Sequence, residues 1–258
     1  MNNIADRIRT AQDKNGMLRR ALERIIQLYT DKSHFVYELL QNAEDAEATS
    51  VRFDQYPDRL EVLHNGKPFS EQNLQGLCDI GKSDKVDQLN QIGEFGVGFK
   101  SVFGICDTVK LYSEPSHFRY SVDYECDSFA VEIRDFTRPV DIKSESMARN
   151  YTTRFVFPYV VGKPFSGFSS VDQLRSTISK KLQNLGVTTL LFMKKLESIE
   201  YHIFTQDNSI NGEYLLEKET INDHCMLVSA LGTNALNNND TEITSYLRFS
   251  CPIAQGSP

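Results

Sequence analysis

The chain has 258 residues, 40% of them hydrophobic and 24% charged, with a formal net charge of −7. That is ordinary globular composition, sufficient for one large or two small domains, and it excludes a disordered chain. Basic pairs such as Arg19-Arg20, Lys180-Lys181 and Lys194-Lys195 are isolated, so no nucleic-acid footprint is evident.

The N-terminus, MNNIADRIRTAQDKNG, carries no apolar leader core. The longest apolar runs, near Val187 to Met193, fall far short of the roughly 20 residues of a membrane-spanning helix. Five cysteines, an odd number without C-x-x-C spacing, read as reduced thiols of a soluble cytoplasmic protein rather than disulfides or zinc ligands. Met17 to Tyr29 has helical apolar spacing, and a second helix is predicted over Phe35 to Ala48. The period then changes. Val51-Arg52-Phe53-Asp54 and Leu60-Glu61-Val62-Leu63, with Pro57-Asp58 between them, predict a β-hairpin.

Ser70-Glu71 opens a further helix with an oxygen cap and an acidic first turn. Residues 81–91, GKSDKVDQLNQ, are polar and read as a loop able to move. Val97 to Ile105 reads as helical. TVKLYS, FRYSVDY, FAVEIRDF and TTRFVFPYV read as strands. Ser170 to Gly186 is a helix with a Ser170/Gln173 cap and an apolar stripe of Val171, Leu174, Ile178, Leu182 and Leu185. TTLLFM and SIEYHIF read as strands, and short strand-like runs follow. The order of elements predicts an α+β layer fold with helices on one face of a mixed sheet.

Four local patterns bear on chemistry. Glu38, Asn42 and Asp45 stand at i, i+4 and i+7, on one face of the predicted helix. The Asn42 amide oxygen suits Mg²⁺, which takes few protein oxygens and keeps its waters. Glu38, one turn away, can accept a proton from an attacking water; read blandly, the row is a solvated polar face. His64-Asn65-Gly66 follows a strand and reads locally as a turn. In IGEFGVGFKSVF, Gly93, Gly96 and Gly98 allow a backbone to approach a ligand closely, but Phe99 intervenes before Lys100-Ser101, so this is not a P-loop. Thr153 opens a strand, where threonine is common on propensity alone.

Together, in this order and spacing, ELLQNAEDA, HNGKPF, IGEFGVGFKS and YTTRFVF resemble the motifs of the GHKL ATPase superfamily, which includes gyrase B, the 90-kDa heat-shock chaperones, the histidine kinases and MutL. The nearest likeness is to the sacsin-type N-terminal ATPase domain, over roughly residues 20 to 200. The resemblance implies a two-layer α/β sandwich of the Bergerat type, with helices on one face of a mixed, mostly antiparallel sheet. Residues 1–200 would form the nucleotide-binding domain and 201–258 a β-rich extension or the start of a second domain.

It implies ATP and Mg²⁺ as ligands. Glu38 would activate water, Asn42 would hold the metal, and Asp45 would lie near the nucleotide on the same helix face. Lys82 would stand at the start of a mobile lid over 81–95. Gly93, Phe95, Gly96, Val97, Gly98 and Phe99 would cradle phosphates, and Thr153 would help fix the base. His64, with Asn65 and Gly66, takes the place where the family has an aspartate that accepts from the adenine amine; a neutral acceptor there forms a weaker bond. The implied function is ATP hydrolysis that closes the lid and drives dimerisation or rearrangement of attached domains or protein partners, as in chaperone-like or defence ATPases. The alternative is a nucleotide-sensing module without turnover. A histidine-kinase role fits poorly, because that branch has Asn in place of Glu38 and only His34 precedes the motif. No membrane or direct nucleic-acid contact is implied.

Overall fold

The structure is a computed structural model that describes residues 4–8, 17–28, 31–78, 98–115, 127–222, 225–234 and 241–249. The described helices are α1 (Ile4–Arg7), α2 (Met17–Leu28), α3 (Phe35–Asp45), α4 (Glu71–Cys78) and α5 (Val171–Gln183). The strands are β1 (Ser50–Gln55), β2 (Arg59–His64), β3 (Thr108–Ser113), β4 (Phe129–Arg134), β5 (Arg138–Asp141), β6 (Thr153–Pro158), β7 (Ser198–Phe204), β8 (Ser209–Asn222), β9 (Cys225–Asn234) and β10 (Thr241–Phe249). Short 3₁₀ helices span Phe99–Gly104 and Val187–Phe192.

All ten described strands join one sheet in the order β10-β9-β8-β7-β1-β2-β6-β3-β4-β5. β1 and β7 pair in parallel and every other neighbour pairs antiparallel. This corrects the expected fold class. The molecule is sheet-dominated, with few helices, and is not the two-layer GHKL sandwich with helices on one face that the sequence suggested. The physical reason lies in the last third of the chain. The runs that read as short strands are three long ones of 14, 10 and 9 residues, and their ladder hydrogen bonds extend the same sheet beyond β7.

Strand alternation sorts the side chains. Val51 and Phe53 of β1, Leu60 and Val62 of β2, and Phe155 and Phe157 of β6 are buried in one core with Leu39 and Leu40 of α3 and Leu174 and Ile178 of α5. The intervening residues face the other way and form charge pairs. Arg52 Nη2 meets Asp54 Oδ2 at 2.9 Å, and His202 Nδ1 meets Asp54 Oδ1 at 2.9 Å. Arg59 Nε bonds Glu61 Oε1 at 2.7 Å.

Helix α3 forms because Phe35, Val36, Leu39, Leu40 and Ala43, all buried, make one apolar stripe. Each large apolar side chain so buried contributes about 1.5–3 kcal/mol. The helix stops three residues short of the expected Ala48. Ala46 N–H bonds Asn42 O at 3.0 Å, and Glu47 adopts a left-handed φ of 56°, which cannot continue a right-handed helix. The α5 cap is as expected in kind: Gln173 N–H donates to Ser170 Oγ at 3.2 Å. The Gln173 side chain reaches back one residue further, accepting from Ser169 N–H at 2.9 Å.

TTLLFM is not a strand. It lies in the 3₁₀ helix Val187–Phe192, where Val187 and Leu190, three apart, are both buried. That is the three-per-turn period of a 3₁₀ helix, which β-branched composition disguised. The expected helix over 97–105 is likewise the 3₁₀ helix Phe99–Gly104.

Candidate functional site

α3 lays Glu38 and Asn42 on its surface one turn apart. His34, one turn before Glu38, places Nε2 at 3.0 Å from Glu38 Oε1. The other carboxylate oxygen faces backbone. A Cβ built on Gly98 would fall inside the van der Waals radius of Glu38 Oε2, so only glycine lets the chain come this near. The cause is close approach and not an unusual conformation, since Gly98 has φ −60° and ψ −46°. Gly98 then opens the 3₁₀ helix. Its carbonyl accepts from Ser101 N–H at 3.0 Å and from Ser101 Oγ at 2.6 Å.

Asn42 is half-buried, and no hydrogen bond among the described residues holds its amide. Among those residues no trio of His, Cys, Asp or Glu is arranged to hold a metal. A lone amide oxygen near a carboxylate still suits Mg²⁺, which binds through one or two protein oxygens, several waters and substrate phosphates. Asp45 is exposed and borders a separate open groove with Tyr37, Gln41, Met193, Lys194 and Lys195. Partial desolvation by its surroundings, with the neighbouring Glu44 carboxylate, holds its pKa above the ordinary value.

Phe99 is a core residue. It is 2% exposed, and its ring centroid lies 5.4 Å from that of Phe155. Lys100 is buried too, its ammonium donating to the carbonyls of Leu77 and Phe136. It thus ties the end of α4 to the turn after β4. Lys163 does similar work at the other end of the 3₁₀ helix, donating to Phe103 O at 3.0 Å and Cys106 O at 2.6 Å.

Beyond the C-terminal end of α3 lies the second half of the site. His64 ends β2 and is 2% exposed. Burial pushes its pKa down to about 4, so the ring is neutral. Gly66 N–H donates to His64 Nδ1 at 3.3 Å. Asn65 is committed to the frame. Its Oδ1 accepts from Thr49 N–H at 2.9 Å and Ser50 N–H at 3.0 Å, and its amide nitrogen donates to Thr49 Oγ1 at 2.8 Å. Both bonds its amide oxygen accepts are thus made within the frame. A Cβ on Gly66 would lie 2.5 Å from Ala46 O and 2.8 Å from Ala48 N, so this glycine lets the post-β2 loop seat on the end of α3.

Thr153 stands opposite His64 across the β2–β6 ladder and is fully buried. Its neighbour Thr152 binds the loop, donating from Oγ1 to Gly66 O at 2.6 Å. Sequence reasoning passed over Thr152, whose role depends on a contact 86 residues away in the chain. It also gave His34 no role beside Glu38, although the i, i+4 spacing was a usable signal. Glu44 was missed as well: it anchors the segment before β7 by accepting from the backbone N–H groups of Lys194, Lys195 and Leu196 at 2.7, 2.9 and 2.9 Å. Lys82, Gly93, Phe95, Gly96 and Val97, with the 81–95 lid, lie outside the described residues.

Residues 15–119 match the family model described as the Sacsin domain. That span includes Glu38, Asn42, His64 and Gly98 but not Thr153. The chain is 28% identical over 243 residues to Protein NO VEIN of Arabidopsis thaliana, an alignment covering 87% of this chain and 8% of that protein. It is 27% identical over 217 residues to sacsin of Homo sapiens, covering 69% of this chain and 5% of that one. The chain thus spans less than a tenth of the length of either relative. These matches support a sacsin-like family. No described helix is long and apolar enough to cross a membrane.

Proposed function

We propose that the chain is a Mg²⁺-dependent nucleotide-binding unit that hydrolyses ATP and transmits the change to a larger assembly. The observation that carries this reading is the seat of Glu38. One carboxylate oxygen is oriented by His34, and the other faces the Gly98 backbone, where any side chain would collide with it. A carboxylate so placed, one turn from an amide oxygen with no partner among the described residues, suits the orientation and deprotonation of a water beside a phosphate. Mg²⁺, when bound, neutralises phosphate charge. Asn42 would be its protein ligand.

The spacing along α3 supports the same reading. Glu38, against Gly98, and Ala46, against Gly66, are eight residues apart. At 1.5 Å per residue that is about 12 Å, on the scale that separates a nucleobase from the last phosphate of a nucleoside triphosphate. The GHKL-like order of motifs supports it, and the Sacsin-domain match covers three of the four motifs, all but the one at Thr153. The second reading, nucleotide sensing without turnover, draws on His64, which stands where the GHKL pattern has a carboxylate to hold the adenine amine.

One experiment separates the two. ATP, ADP and GTP are titrated calorimetrically with Mg²⁺, and phosphate release is followed in the wild type and in Glu38→Ala. We expect the variant to bind ATP within about threefold of wild type, about 0.7 kcal/mol, and to release no phosphate. Equal turnover in both proteins refutes the catalytic role of Glu38. Wild-type binding without turnover establishes the sensing module. Failure of all three nucleotides to bind removes the proposal altogether.

A further inference from the structure

A polar row interrupts the apolar sheet face on the α3 side. His64 on β2 stands opposite Thr153 on β6, and Thr153 stands opposite Ser113 on β3. One pair further along the same strands the face is wholly apolar, with Val62, Phe155 and Leu111 in register. All three polar residues are at most 3% exposed. Ser113 is satisfied, donating from Oγ to Phe69 O at 3.3 Å. Thr153 Oγ1 is buried without a hydrogen-bond partner among the described residues.

The neighbouring imidazole is half-satisfied. Its Nδ1 accepts from Gly66 N–H, so the neutral ring carries its proton on Nε2, where it can only donate. No described residue accepts from it. A buried hydroxyl left without a partner, as at Thr153, is costly, and a frame needing only shape would be served as well by valine there. The unmet Thr153 hydroxyl, on the residue directly paired with His64, whose Nε2–H no described residue accepts from, marks a place that a hydrogen-bonding ligand completes. The ligand must present an acceptor to the imidazole N–H. The hydroxyl can serve as donor or acceptor.

Resting on the nucleotide reading above, we infer that His64 and Thr153 form the base-reading end of that site and select a purine bearing a carbonyl at position 6. An adenine amine would direct N–H against N–H there. Inosine and guanine offer an oxygen. The unit therefore binds ITP and GTP at least as tightly as ATP, the reverse of what an aspartate at position 64 would impose.

The test is calorimetric titration of Mg·ATP, Mg·ITP and Mg·GTP into wild type, His64→Asp and Thr153→Val. Wild type is expected to bind ITP as tightly as ATP or more so. His64→Asp should shift the ATP-to-ITP affinity ratio at least tenfold toward ATP. Thr153→Val, which keeps the side chain's shape, should weaken ITP binding at least threefold and leave the thermal midpoint unchanged or raised, because the lost hydroxyl had no partner. Should His64→Asp fail to fold, the wild-type ratio and Thr153→Val still decide. A tenfold wild-type preference for ATP over ITP overturns the inference and leaves the hydrolysis reading standing. So does Thr153→Val binding ITP as well as wild type. If no triphosphate binds, both fall together.

Discussion

The two ends of α3 are fixed in opposite ways. At Glu38, the close neighbour Gly98 meets the tip of a flexible side chain. At Ala46, the close neighbour Gly66 meets backbone, and Lys67 N–H bonds Ala46 O at 2.6 Å. Lys67 also pairs with Glu47 just beyond the helix. One end carries a side chain that can swing without disturbing the frame. The other is the frame, buried and closed by Thr152, Asn65 and His64. Under the proposed function, a helix bound this way would keep one end of a ligand in register while the other end reacts.

The largest expected effect that sharpens this contrast is on the framework end, and it is read by pH. The unfolded His64 ring takes a proton below its ordinary value of 6.5, and the folded ring only below about 4. Between those values the unfolded state binds more protons, so stability is fully present above pH 6.5 and is lost as the pH falls toward 4. The shift corresponds to about 3 kcal/mol for this buried group. Urea unfolding from pH 7 to 4 should show that loss in wild type, and His64→Asn should lack this share of it. Parallel curves for the two proteins would refute the burial argument.

Next comes Gly66→Ala. Its methyl group meets a carbonyl and an amide of the main chain, which cannot step aside as a side-chain tip can. We expect a loss of about 2 kcal/mol in unfolding free energy, in the range for overpacking. A change below about 0.5 kcal/mol, the size of an ordinary surface substitution, would mean the loop seats elsewhere.

The smallest effect on folding is expected from Gly98→Ala, although its collision is the closer one. The Glu38 carboxylate can rotate away, so the urea midpoint should hardly move. Displacing the carboxylate should slow phosphate release roughly tenfold, or about 1.4 kcal/mol of barrier. Comparing midpoint with turnover in the two glycine variants tests the contrast directly: Gly66→Ala should act mainly on folding and Gly98→Ala mainly on rate.

What the sequence made legible was local. The β1–β2 hairpin, α3, α5 with its Ser170 cap, and the runs that became β3, β6 and β7 all follow from period and turn chemistry within a dozen residues. Glu38 and Asn42 were singled out the same way, from spacing on one helix, and α3 does carry both. What stayed hidden was set by contacts across the chain. Nothing near Thr152 or Thr153 says which one bonds the Gly66 loop and which keeps an idle hydroxyl. Nothing near Asn65 says that its amide is taken up by Thr49 and Ser50. The fold class was misjudged for the same reason. Strand runs after residue 200 are visible singly, but their joining of the same sheet depends on β7 finding β1.

That parallel pairing has a consequence in time. Ser50 of β1 aligns with Ser198 of β7, so β1 waits on one side for a partner made almost 150 residues later. At about 5–20 residues per second of synthesis, the delay is roughly 7–30 s. Meanwhile β1, β2, α3 and the 99–104 segment can assemble, leaving one edge of β1 open. An open edge invites strands from other chains. The arrival of β7 therefore ends the interval in which a growing chain is most exposed to mispairing, and it does so beside the helix that carries Glu38.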